Sequence, residues 1–308
     1  MTEKLLPGLK MDCCNTSLMG IIIGVADYYG LDHTDAWLFG GSGHAFLINI
    51  HDQLCPSGPY CWNPQTFHNL LDNLGLSMRG LGFFHSESPA EERGQVEQAV
   101  RDSIDAGNPC SVLNMENQIV AGYGDQHLVL LNPWPESNLP ITPGTLTYGT
   151  WKEFGEEVHV DFHAFARVEG ADDLSVIRES LGWAVDMVRN PLGHTGKGYT
   201  VGLGAYDAWI GAVEAGHGSG HGNWWNGTVW SDCRRMASEY FSEISRGTEG
   251  ELAEIADELV TPYLTLSKLI ERAARKDLPD DEKVQAIREA RDIEENCVDR
   301  IEDLLGAF

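Results

Sequence analysis

The hydrophobic pattern of this chain changes character once, near Glu169-Gly-Ala-Asp-Asp173, and that change limits the folds open to it. Before it, apolar runs of strand length alternate with glycine, proline and asparagine turns. Residues 110–114, 118–123 and 127–131 read as strands, and the tight Gly124-Asp125 turn marks the last two as a hairpin. Residues 148–154 and 158–165 read as further strands, as does 44–50, entered from the glycine turn Gly40-Gly-Ser-Gly43. Helices are predicted over 12–30, with Asp12 or Cys13 near the cap, and over 34–39, 64–74 and 89–106. The last of these is amphipathic through Val96, Ala99, Val100 and Ile104. Beyond residue 170 the period is helical, over about 175–189, 202–215, 223–246, 249–275 and 280–306. The sequence therefore predicts an α+β chain of two domains: residues 1–170 with an antiparallel sheet, and 171–308 mostly helical.

Acidic residues outnumber basic ones 47 to 21, for a formal charge of −26. Phosphate binding needs clustered lysine and arginine, so the charge argues against a nucleic-acid or anionic-membrane partner. No apolar run approaches the ~20 residues of a membrane span. The start, Met-Thr-Glu-Lys-Leu-Leu-Pro, lacks the basic and long apolar regions of a signal peptide, so a cytoplasmic location is expected. Cysteines 13, 14, 55, 61, 110, 233 and 297 are odd in number and scattered, unlike a disulfide framework.

Among them, the pair at the head of Met11-Asp-Cys-Cys-Asn-Thr-Ser-Leu-Met-Gly-Ile-Ile-Ile-Gly-Val-Ala-Asp-Tyr-Tyr-Gly30 stands where a helix is predicted to begin. Unpaired backbone N–H groups and the helix dipole favour a thiolate there, and the thiolate is the nucleophile. Cys14 shares a helical face with Ser17, Leu18, Ile21 and Val25. The plainer reading is two small buried residues at a helix start.

Cys14-Asn-Thr-Ser-Leu18 resembles the Cys-x-Ser/Thr-Ala-Leu pattern of the butirosin-biosynthesis acyltransferase N-terminal domain. Phe39-Gly-Gly-Ser-Gly-His-Ala-Phe46 is similar to its Phe-Gly-x-Gly-x-x-x-Phe, and Gly107-Asn-Pro-Cys-Ser-Val112 to the strand that precedes its histidine strand. Over residues 7–165 the chain so resembles the papain-like cysteine fold, in its C39-peptidase-like branch. The resemblance implies a papain-like first domain, Cys14 as nucleophile, a histidine opening the next strand, and Asn132 as its orienting partner. The histidine position falls instead on Asn117 or Gln118.

Two other imidazoles are candidates for the base. His127 and Asn132 differ by an odd number, so on one strand they face opposite sides, ~16 Å apart. His44 follows the glycine turn, where backbone approaches a bound group closely. In the helical half, Tyr206, Asp207, Trp209 and Asn226 gather with other aromatics. Such a stripe is either core or, with Asn117, part of a substrate-binding wall. Cys55 and Cys61, with His51 and His68 nearby, invite a zinc reading. Their five-residue gap and two intervening prolines weigh against it, so no metal or cofactor is assigned.

Two functions result. One is a cysteine-dependent acyl-transfer enzyme (an amidohydrolase, peptidase or acyltransferase) acting through a thioester on a small amide, peptide or thioester substrate. The other is a non-catalytic papain-like protein that binds a small molecule or peptide.

Overall fold

A computed structural model describes residues 3–85, 88–134, 142–155 and 159–308. The elements begin β1 (Lys4–Leu5), α1 (Ser17–Tyr29), α2 (Asp35–Gly41), β2 (Asn49–His51), α3 (Gln65–Asn73), β3 (Leu76–Phe84) and α4 (Ala90–Asp105). Then come β4 (Cys110–Leu113), β5 (Asn117–Tyr123), β6 (His127–Leu130), β7 (Thr145–Thr147) and β8 (Val160–Arg167). The remainder is α5 (Asp173–Arg189), β9 (Tyr199–Val201), α6 (Leu203–Ala212), α7 (His221–Gly247), α8 (Glu251–Ala274) and α9 (Asp280–Gly306). The protein is α+β, with its helices concentrated toward the C-terminus. None of the described helices is long and apolar enough to cross a membrane.

The chain divides into two compact units, one of the residues up to His33 with Gly75–Gly170, the other of Thr34–Leu74 with Ala171–Phe308. In the first, the described strands form an antiparallel sheet in the order β3-β8-β4-β5-β6-β7, and β1 pairs with the end of β5. β5 is buried from Asn117 to Gly122 because it has neighbours on both sides and a helix on one face. That helix is α1. Ile21, Ile22, Ile23 and Val25 are all buried, each contributing roughly 1.5–3 kcal/mol relative to exposure. Gly30, at φ 64°, caps it by donating its N–H to the carbonyls of Ala26 and Asp27. On the sheet, α4 buries Val96, Val100 and Ile104.

Helix α1 starts later than its sequence predicts, with Thr16 rather than Asp12 or Cys13 at the cap. The cause is a pair of glycines one turn apart. Asp12 N–H donates to Gly20 O at 3.1 Å, so residues 10–12 lie back along the helix and cannot form its first turn. A Cβ on Gly20 would stand 2.5 Å from Asp12 O, and one on Gly24 2.1 Å from Lys10 O. Only glycine lets the backbone approach so closely.

In the second unit, α7, α8 and α9 pack together around a buried ion pair. Arg234 Nε donates to Glu294 Oε2 at 2.8 Å, and both side chains are almost fully enclosed. Tyr206 donates its hydroxyl to the same carboxylate oxygen at 2.7 Å. Arg234 Nη1 also donates to the carbonyls of Ala45 and Leu47. Those two bonds explain why 44–50 is not one strand. His44–Phe46 is a single 3-10 turn after Gly43 (φ 75°), and only Asn49–His51 pairs, antiparallel with β9. β3 was not legible as a strand: it carries Gly80 and Gly82, with a register shift between them where it pairs with β8. The predicted strand start at Val158 lies outside the described residues.

Candidate functional site

The first unit gathers polar side chains at the start of α1. Ser17, the first helical residue, donates its hydroxyl to Glu116 Oε2 at 2.7 Å. It accepts in turn from the Asn117 backbone N–H at 3.0 Å and from Asn117 Nδ2 at 3.3 Å. All three residues are buried. β-Pleat places Asn117 and Ile119 on one face of β5, and both meet α1, Asn117 at Ser17 and Ile119 beside Gly24. Gln118, on the other face, donates to the carbonyls of Leu131 and Pro143, at 3.1 and 2.8 Å, and so fixes the exit of β6.

Cys14 reaches the same end of the sheet. Its carbonyl accepts from Trp134 Nε1 at 2.9 Å, and Trp134 N–H donates to Asn132 Oδ1, also at 2.9 Å. Asn132 therefore closes a turn, with Thr142 Oγ1 as a second donor at 3.4 Å. The structure thus brings Cys14, Asn117 and Asn132 to one end of the sheet. Cys14 is half-buried and stands two residues before the helix cap, not in the first turn. The contributions of Ser17, Glu116, Gln118 and Trp134 were missed in the sequence. Glu116 lies in the gap between the strands predicted over 110–114 and 118–123, and Ser17 inside the helix predicted over 12–30.

Within the first unit, His127 does not join this group. His127 opens β6 at the end opposite Asn132, and its Nε2 lies 3.0 Å from Glu3 Oε1. His44 belongs to the second unit. It is fully buried, with its ring among Phe39, Trp62, Phe67 and Trp230 and its Nδ1 3.5 Å from Cys233 Sγ. Burial, helped by the Arg234 charge, pushes its pKa down to about 3, so the ring is neutral at ordinary pH.

The aromatic candidates lie within the second unit. Tyr206 and Trp209 are fully buried, the first bonded to Glu294 and the second donating Nε1–H to Asn223 Oδ1 at 2.7 Å. Asn226 is buried and donates to the carbonyls of Cys55 and Gly222. Asp207 is exposed and accepts from Arg291 at 3.0 Å. Among the described residues, no group of three or more His, Cys, Asp or Glu side chains is arranged to hold a metal ion.

The helix-start group has a definite electrostatic sense. Glu116 puts a carboxyl group at the positive end of α1, where a carboxylate is stabilised by about 0.3–1 kcal/mol. A carboxylate at a helix start complements the dipole that otherwise favours a thiolate there. No known protein-family model matches the chain, and no curated protein matches it either.

Proposed function

We propose that the first unit is a papain-like binding domain whose helix-start site holds a small molecule or peptide through hydrogen-bond donors on the ligand, without turning it over. The observation that carries this reading is the Glu116 carboxylate bonded to Ser17 at the start of α1. The histidine position of the papain-like pattern, which falls on Asn117 or Gln118, supports it: an amide cannot accept a thiol proton, and that of Asn117 is already bonded to Ser17. The chain's −26 charge supports neither nucleic acid nor an anionic membrane as a partner.

A second reading is favoured by the half-buried thiol itself. In it, Cys14 attacks the carbonyl of a small amide, peptide or thioester, and the resulting thioester passes its acyl group to water or an amine. Backbone N–H groups at the helix start would then hold the oxyanion. A library of small amides, amines and peptides separates the two readings, scored by thermal shift and by product formation. Binding without turnover predicts equal stabilisation of wild type and Cys14→Ala. Product formation by wild type that Cys14→Ala abolishes would establish the acyl-transfer reading instead.

A further inference from the structure

In the second unit, the loop between β2 and α3 carries two thiols that converge on one pair of hydroxyls. Cys55 Sγ lies 2.7 Å from Ser57 Oγ, and Ser57 Oγ lies 2.7 Å from the Tyr199 hydroxyl. Cys61 also lies close enough to Tyr199 to help raise its phenol. The segment between the thiols is folded back on itself. Gly58 N–H donates to Cys55 O, and the N–H groups of Tyr60 and Cys61 both donate to Ser57 O. Overlapping turns of this kind shorten the span between the two cysteines far below its extended length.

The backbone at each cysteine is anchored by neighbouring side chains. Cys55 O accepts from Asn226 Nδ2 at 2.9 Å, and Cys61 O from Asn49 Nδ2 at 2.9 Å and Thr195 Oγ1 at 3.1 Å. Cys61 is exposed and Cys55 half-buried, and neither is in a disulfide. An oxidant from solution thus meets Cys61 first, with Cys55 six residues back in the same folded loop. Burial and the Cys61 contact push the Tyr199 phenol up to about 12, so it remains a donor to the sulfur.

We propose that Cys55 and Cys61 are an oxidative modification site, in which a peroxide converts the two thiols to an intraloop disulfide. The Cys61 thiolate attacks one peroxide oxygen, the O–O bond breaks, and hydroxide leaves, giving a sulfenic acid. The Cys55 thiolate then attacks that sulfur, expelling a second hydroxide and forming the S–S bond. The two sulfurs lose two electrons in all, one peroxide takes them up, and with the two thiol protons both oxygens leave as water.

The test uses the full-length, fully reduced chain, treated with a few equivalents of hydrogen peroxide and then with N-ethylmaleimide. Chymotrypsin cuts after Tyr60, between the two cysteines, so their peptides stay together only through a disulfide. The expected result is one dithiothreitol-sensitive crosslink joining Cys55 and Cys61, with maleimide-reactive thiols under denaturing conditions falling from seven to five (seven less the two joined). Cys55→Ser should instead leave Cys61 as a sulfenic acid trapped by dimedone. Maleimide on both cysteines after oxidation, a sulfinic acid on wild-type Cys61 without the crosslink, or a crosslink to another cysteine would each overturn the proposal. The wild-type mapping decides the matter even where a variant does not fold.

Discussion

Replacing Gly24 by alanine tests how the chain presents Cys14. In an ordinary helix the change stabilises by about 1 kcal/mol, because alanine is the better helix former. Here the new Cβ would stand 2.1 Å from Lys10 O and 3.3 Å from Ile119 Cδ1, where ordinary contact begins at 3.4 Å. Residues 10–12 must therefore retreat by about 1.3 Å (3.4 less 2.1). That movement pulls on the 3.1 Å bond from Asp12 N–H to Gly20 O. Overpacking costs ~1–3 kcal/mol and the lost backbone bond ~1 kcal/mol, against the ~1 kcal/mol propensity gain. The net expectation is destabilisation by about 1–3 kcal/mol, a reversal of the usual sign. Gly94→Ala is the control: it lies in α4 of the same unit, exposed, with nothing within 4 Å of a Cβ. It should stabilise by about 0.5–1 kcal/mol. Urea unfolding of both variants reads the difference, and alkylation of Cys14 should quicken in Gly24→Ala as the segment loosens. If Gly24→Ala stabilises as much as Gly94→Ala, residues 10–12 do not lie on the helix and the account of how Cys14 is held fails.

Arg234→Met should cost about 3–5 kcal/mol, because it strands the buried Glu294 carboxylate and two carbonyls. Adding Glu294→Leu should recover part of that loss; equal unfolding midpoints for single and double variants would refute the buried pair. For pH, His44 is held near 3 in the folded chain against 6.5 in the unfolded one. The unfolded chain thus binds the proton first, so this contribution is complete above pH 6.5 and drains as pH falls toward 3. His163, pushed down to about 4 by burial, acts in the same sense, while Asp161, pushed up to about 6 by burial, acts oppositely. His44→Phe should flatten the fall in stability between pH 6.5 and 3, measured by denaturant midpoints; an unchanged slope would show that His44 is not buried in the neutral form.

The elements that the sequence announced are those whose own pattern decides them. The heptad-like apolar run of α9, the strands and turn of the β5–β6 hairpin, and the Tyr-Tyr-Gly end of α1 need no distant partner to be recognised. Where a distant group decides, local pattern misleads. Residues 44–50 are all buried, so they show no alternation, and the guanidinium of Arg234 claims the carbonyls of Ala45 and Leu47 from far along the chain. The start of α1 depends on Lys10 and Asp12 folding back over Gly20 and Gly24, a contact that only the glycine spacing hints at. The candidate site divides in the same way. Cys14, Asn117 and Asn132 were visible as positions in a pattern. Glu116 was not, because what makes it matter is its bond to Ser17, 99 residues away in the chain.

The central claim is that Glu116 leaves the start of α1 unable to activate Cys14. The pH dependence of iodoacetamide alkylation, read at Cys14 by peptide mass spectrometry, tests it most directly. A thiol without activation titrates near ~8.5. The account predicts a Cys14 rate midpoint at or above that value. A midpoint below ~7 would mean that a cationic or dipolar group stabilises the thiolate after all, and the binding-only reading would give way to acyl transfer.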